Sequence, residues 1–199
     1  APYWVSYPDI VLLAGGKPVI VECSEEENFK ISPKKLESAI TEKTKWLMLN
    51  SPSNPTGSCY TEPEINSLAN ILNKQKHVHI LSDDIYEHII YENFKFFTIA
   101  QIKELKDRTL TMNGVSKSYA MTGWRIGYAG GPKDLIKAMA KIQSQSTTNP
   151  SSVSQAAAVE ALNGKQDFIV ERLKSFQQRR DFILNELKSI KGISCLKPE

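Results

Sequence analysis

Lys117 closes a short run that opens at Asn113, and eight residues later, across Thr122-Gly-Trp124, stands Arg125. A primary amine attacks carbonyl carbon only in its neutral form, so a reactive lysine needs burial or nearby cations. The flanking Gly114, Val115, Ser116 and Ser118 make a buried Lys117 the expectation. Composition argues the other way: Lys and Arg together number 25, and most such side chains are solvated surface charges. Partners must decide. Asn54, in Ser51-Pro-Ser-Asn-Pro-Thr-Gly57, and Asp83, in Asp83-Asp-Ile-Tyr86, are the polar residues that follow other apolar runs.

These runs define the elements that position them. Lys45–Asn50, Val78–Ser82, Arg108–Asn113 and Trp124–Ala129 read as strands, and Pro18–Cys23 as a further, buried one after the apolar Ile10–Ala14 and Gly15-Gly16. Between them lie helical patterns. Ser32 caps a short amphipathic helix with Pro33 at its first position and apolar residues at 36, 39 and 40. Thr61 opens another, apolar at 65, 68, 69, 71 and 72, running to about Lys74. Phe94–Ile102 is aromatic and irregular, which predicts a surface loop with one helical turn. From Lys133 the chain is helical to Leu162, with a pause at Thr147–Ser151. Ile169, Leu173, Phe176, Ile183, Leu187 and Ile190 then form a stripe interrupted only by Arg180, and Gly192–Cys195 reads as the start of another strand. Such alternation predicts an α/β layered sheet, which binds ligands at the C-terminal ends of its strands. Asn54, Asp83 and Lys117 all fall just beyond such ends.

Composition removes several function classes. The 199 residues are 41% hydrophobic, enough for a real core, and the net charge of +3 is interspersed, without the basic stripe of a nucleic-acid surface. No apolar stretch approaches a membrane span. Cys23, Cys59 and Cys195 have no paired spacing, so neither a disulfide framework nor a zinc site is expected, and a reducing, cytoplasmic setting fits. His77 and His79 form a His-x-His without a third ligand nearby, a strand-edge pair rather than a metal site.

If the strand ends converge, they collect an amine, a carboxylate, an arginine, a tyrosine, an asparagine and a tryptophan. Pyridoxal 5'-phosphate suits that set: it forms an imine with lysine, needs a carboxylate beside its ring nitrogen, and carries a phosphate that calls for arginine. Asp84 competes evenly with Asp83 on spacing alone, and Asn54, from its neighbours alone, reads first as a turn former.

Asn54-Pro-Thr-Gly57, Asp83-x-x-Tyr86, and Ser116-Lys117 with Arg125 in Gly-Trp-Arg-Ile-Gly-Tyr resemble the class I aminotransferases of pyridoxal-phosphate fold type I, nearest to the bacterial aspartate (aspartate/prephenate) subgroup. The resemblance runs through essentially all of the chain. It implies a three-layer α/β/α large domain with a mixed, mostly parallel sheet: residues 1–164 as its central part, 165–191 as a long interdomain helix, and 192–199 as the start of a small C-terminal domain. It implies amino-acid and 2-oxo-acid substrates, aspartate among them, and a homodimer in the full-length protein. By resemblance, Lys117 joins the cofactor as a Schiff base and shuttles the substrate proton. Asp83 pairs with the ring nitrogen, Tyr86 and Asn54 bond the phenolic oxygen, and Asn54 also touches the substrate carboxylate. Arg125 binds the phosphate and Trp4 stacks on the ring, where it also meets substrate. A cis Asn54–Pro55 bond is expected too.

The chain departs from the family in length, since members run to about twice it, so it reads as a central fragment, weak or inactive alone. Gly114 stands where many relatives place a phosphate-binding serine. A lyase or decarboxylase of the same fold type, and a catalytically incomplete α/β module, are the alternative readings.

Overall fold

The computed structural model describes residues 1–92 and 94–199. Four strands form one sheet in the order β1 (Trp46–Asn50), β2 (His79–Asp83), β3 (Thr109–Gly114) and β4 (Gly127–Gly130). The first three run parallel, with Asn50 opposite Asp83 and Asp83 opposite Met112, so their C-terminal ends lie in one row. β4 turns back antiparallel, pairing Gly127 with Gly114. Its start therefore meets the end of β3.

One α-helix, Glu62–Lys74, joins β1 to β2, the 3₁₀ segments Ile99–Gln101 and Lys103–Arg108 lie between β2 and β3, and two further helices precede the sheet. α1 (Ser6–Leu13) comes first. In α2 (Pro33–Ala39), Ser32 accepts from the Lys35 N–H and Pro33 needs no partner for its missing N–H. α3 (Glu62–Lys74) opens with a capping box in which Glu64 accepts from the Thr61 N–H at 2.7 Å. Ile65, Leu68, Ala69 and Leu72 recur at steps of three and four on that helix, and all are buried. They meet Leu36, Leu49, Val78, Ile80, Ile99 and Leu105 in the main core. A smaller core holds Val115, Tyr119 and Ala158, packed by α5 (Ser152–Asn163) and the first turn of α6 (Asp167–Ser189). α4 (Lys133–Ser144) precedes them. The layered α/β architecture is as expected.

Three expected strands are absent or shorter. Residues 18–23 form no strand; their backbone instead meets Ala1, whose carbonyl accepts from the Cys23 N–H and whose amine donates to Val21. Val19 and Ile20 stay exposed. Thr122–Trp124 is a single 3₁₀ turn, because Arg125 adopts the left-handed conformation (φ 52°), so β4 starts only at Gly127. Residues 192–195 make no ladder. The segment after them bonds to the Asn54 turn, with the Glu199 N–H on the Gly57 carbonyl at 3.2 Å, while Arg180 donates to the Pro198 carbonyl at 2.9 Å. Arg180 is buried at the middle of α6, where it also bonds Glu92 and lies over the Tyr91 ring. It is thus an anchor, while Ile183 and Ile190 of the apolar stripe remain exposed.

Candidate active site at the strand ends

Side chains alternate along a strand, so consecutive residues face opposite sides of the sheet. In β2 this puts Ile80 and Ser82 toward the main core and Leu81 and Asp83 on the other side. Asp84, one residue beyond, falls with Ser82, whose hydroxyl donates to it at 2.7 Å beside the Thr98 hydroxyl. Pleat therefore puts the two carboxylates on opposite faces of the sheet. Asp83 alone turns toward Tyr7, whose phenol donates to Oδ2 at 2.6 Å, while the Ile85 N–H donates to Oδ1 at 3.2 Å. Burial pushes the Asp83 carboxyl above its ordinary value, and these two hydrogen bonds pull it back partway.

Asp84 is the more strongly perturbed, pushed up to about 6 chiefly by burial. Its folded pKa lies above its unfolded one, so its contribution to stability is fully present below the unfolded value and lost as pH rises through about 6. Asp84→Asn should raise stability at pH 8 by up to about 3 kcal/mol and change little at pH 4. Thermal unfolding at the two pH values checks this, and an equal shift at both would refute it.

Asn50, at the end of β1, ties Asn54 to this end of the sheet. Its amide donates to the Asp83 carbonyl at 2.9 Å and its oxygen accepts the Asn54 N–H at 2.8 Å. The Asn54 turn is closed by the Gly57 N–H on the Ser53 carbonyl. The Asn54–Pro55 bond is cis, as expected, and so are Ala1–Pro2 and Ser51–Pro52. Trp4 is held edge-on against Tyr7, ring centroids 5.5 Å apart, and is 40% exposed.

Lys117 is not buried. It sits exposed in the turn after β3, between the buried Val115 and Ser118, because those two turn inward and the turn closes beneath it through the Met121 N–H on the Val115 carbonyl. Its Nζ lies 5.7 Å from the centre of the Tyr86 ring. Gly114 explains how β4 comes so near: a Cβ there would lie 3.1 Å from Ile85 Cδ1 and 3.2 Å from the Ile126 carbonyl oxygen. Arg125, two residues before Gly127, leaves the same end of the β3–β4 ladder as Lys117. It is exposed, and its guanidinium donates to the Thr122 carbonyl at 2.9 Å.

Direct contacts thus link Trp4, Tyr7, Asp83, Asn50 and Asn54 in one chain, and Lys117 with Tyr86 in another; Arg125 touches neither but shares their strand end. Tyr7 and Asn50 escaped the sequence reading. Their partners lie 76 and 33 residues away, and only the spacing of Tyr7 from Trp4, three residues, hinted at a shared side. His77 meets the Thr41 carbonyl and His79 stacks on Trp46, both at the opposite ends of the strands.

Among known proteins, the pattern described as "Aminotransferase class I and II" matches residues 1–199. A probable aspartate/prephenate aminotransferase of Rickettsia felis is 58% identical over 200 residues, which cover 100% of this chain and 49% of that protein. The aspartate aminotransferase of Rhizobium meliloti (strain 1021) is 57% identical over 199 residues, covering 100% and 48%. The crystal structure of the Rhizobium meliloti aspartate aminotransferase matches with a TM-score of 0.98 at 56% identity, over 100% of this chain and 50% of that one. The Thermus thermophilus aspartate aminotransferase with maleate matches at 0.94 and 43% identity, over 100% and 51%. The chain spans about half the length of these relatives.

Proposed function

The chain belongs to the class I and II aminotransferases, and on that premise we propose that it is the central part of a pyridoxal-phosphate-dependent aspartate aminotransferase. The observation that carries this reading is a pair of unmet groups at one end of the sheet. Asp83 is a buried carboxylate with no cation paired to it among the described residues, and Lys117 is an amine with no acid partner among them. Burying an unpaired charge costs several kcal/mol by the usual order of magnitude. A ligand presenting a protonated ring nitrogen to Asp83 meets that deficit, and an aldehyde on the same ligand would be within the chemistry of the exposed Lys117 amine. The residues present therefore fit pyridoxal phosphate.

When bound, that group supplies an electron sink for the bonds at the substrate's amino-bearing carbon. Asp83 holds a proton at the ring nitrogen through the charge on its carboxylate. Lys117 supplies the amine through Nζ and, once freed, moves a proton at that same atom. Tyr86 and Asn54 donate hydrogen bonds to the phenolic oxygen, Asn54 also toward a substrate carboxylate. Arg125 would hold the phosphate through its fixed fork of donors, and Trp4 would offer its ring to that of the cofactor and to the substrate. Residues 1–164 are assigned to the large domain, 165–191 to an interdomain helix and 192–199 to the start of a small domain. The names of the relatives support aspartate and a 2-oxo acid as substrates, with prephenate as a further acceptor; a homodimer and a cytoplasmic setting belong to the same proposal. Among the described residues no helix is long and apolar enough to cross a membrane.

The test is to supply the full-length protein of which this chain is the proposed central part with pyridoxal phosphate, dialyse, and record absorbance from low to high pH, then add aspartate and 2-oxoglutarate. A retained, pH-dependent yellow band and formation of oxaloacetate with glutamate are the expected results. Alanine with carbon dioxide from aspartate, and no glutamate, would make the protein a decarboxylase, and no retained band in the full-length protein would end the cofactor reading.

A further inference from the structure

We propose that Tyr7 is the positioning residue for Asp83: its hydroxyl fixes the plane of the carboxylate, and so the direction of the lone pairs left open to the cofactor ring. The inference rests on the reading of Asp83 given above and deepens it. An aspartate carboxylate turns easily about its last torsion, whose energy wells are broad. Two donors hold this one. The main-chain N–H of Ile85 reaches Oδ1 at 3.2 Å, and the Tyr7 phenol reaches Oδ2 at 2.6 Å. The second has the length of a charge-assisted O–H···O⁻ bond, roughly twice as strong as a neutral one. Without it a single long bond remains.

The geometry gives Tyr7 a second contact that a mere donor would not need. It lies in the first turn of α1, buried, with its ring meeting Trp4 at 5.5 Å and an interplanar angle of 87°. One side chain thus spans the residue assigned to the ring face and the residue assigned to the ring nitrogen. A displacement of α1 would move both together. Burial and the neighbouring Asp83 charge hold the phenol protonated throughout the range in which proteins stay folded, so it remains a donor. The other titratable groups whose charge is felt here are Tyr86, on Tyr7, and Asp84, beside Asp83. Neither needs to be altered to test the idea.

Tyr7→Phe keeps the ring against Trp4 and removes only the hydroxyl. Two readouts decide: the carbon-13 carboxyl titration of Asp83 in the cofactor-free chain, and the dissociation constants of pyridoxal phosphate and of its 1-deaza analogue, which has carbon in place of the ring nitrogen. The expected result is an upward shift of the Asp83 midpoint, about tenfold weaker binding of pyridoxal phosphate, and unchanged binding of the analogue, which offers Asp83 no proton. Tyr7→3-fluorotyrosine, the same shape with a stronger donor, should move the Asp83 midpoint the other way, and it serves if the phenylalanine variant does not fold. An unmoved midpoint in both variants, or equal loss for cofactor and analogue, would make Tyr7 a packing residue only. If the wild type binds cofactor and analogue alike, the assignment of Asp83 to the ring nitrogen fails, while the titration still decides whether Tyr7 governs Asp83.

Discussion

Lys117→Ala should leave the fold intact, abolish retention of pyridoxal phosphate through dialysis, and lower amino-group exchange by about 10²–10⁴-fold, the usual worth of a positioned proton-transfer group. Stability is expected to hold because Lys117 is exposed, stands in a turn whose main-chain bond from the Ala120 N–H to the Lys117 carbonyl the substitution keeps, and forms no side-chain ion pair among the described residues. Its ammonium lies 5.7 Å from the centre of the Tyr86 ring, a contact that at an exposed site is worth about 0.5–1 kcal/mol. Lys117→Arg is the sharper comparison. It keeps a cation over Tyr86, yet a guanidinium is never deprotonated at working pH and offers no amine. Dialysis followed by absorbance, with initial rates on aspartate and 2-oxoglutarate, measures both variants. Exchange by the arginine variant near the wild-type rate would mean that Lys117 holds charge and does no chemistry.

The exposure of Lys117 also marks a limit of what the sequence shows. Small neighbours predicted burial, yet the Val115 and Ser118 side chains turn inward and leave the lysine between them outside. Local rules worked where the partner is local. Ser32 and Thr61 cap the helices they precede, and the apolar spacing of α3 names its buried face. The row of strand ends followed from the alternation of strand and helix. Asp83 against Asp84 was undecidable by spacing, but one period-two rule, applied once β2 is placed, separates them. Residues 18–23 failed because an apolar run reports a preference for burial and not the presence of a neighbouring strand; here Ala1 and the Lys35 ammonium bond its backbone. Tyr7 and Asn50 act across the fold, and no local pattern marks a tyrosine as the partner of an aspartate on another element.

Arg108 is the strongest case of that kind, and Arg108→Ala should destabilise the chain by about 3–5 kcal/mol. It reads in the sequence as an ordinary charge before a strand, but it is buried at 9% exposure. Its guanidinium donates to the Leu72 carbonyl at 2.6 Å, to the Gln75 carbonyl at 3.1 Å and to the Val78 carbonyl. Leu72 lies in the last turn of α3, where the helix dipole favours a cation. The other two carbonyls belong to the connection that leads into β2. The Leu72 carbonyl also accepts the Gln75 N–H at 2.9 Å and the Gln75 carbonyl the Val78 N–H at 3.1 Å. Removing the fork therefore takes a second donor from these two and the guanidinium from the Val78 carbonyl, a buried acceptor that costs about 1–3 kcal/mol if water does not reach it, on top of the packing lost with the side chain. Lysine cannot replace it, since one ammonium does not span three divergent carbonyls. Arg108→Met, which keeps the stem, should recover only the packing part of the loss. Chemical denaturation of the three variants measures this, and a loss below about 1 kcal/mol in the alanine variant would show that water satisfies the carbonyls. The consequence reaches the site: β2 begins one residue after Val78 and ends on Asp83, so what pins its start also fixes the strand whose last side chain faces Tyr7.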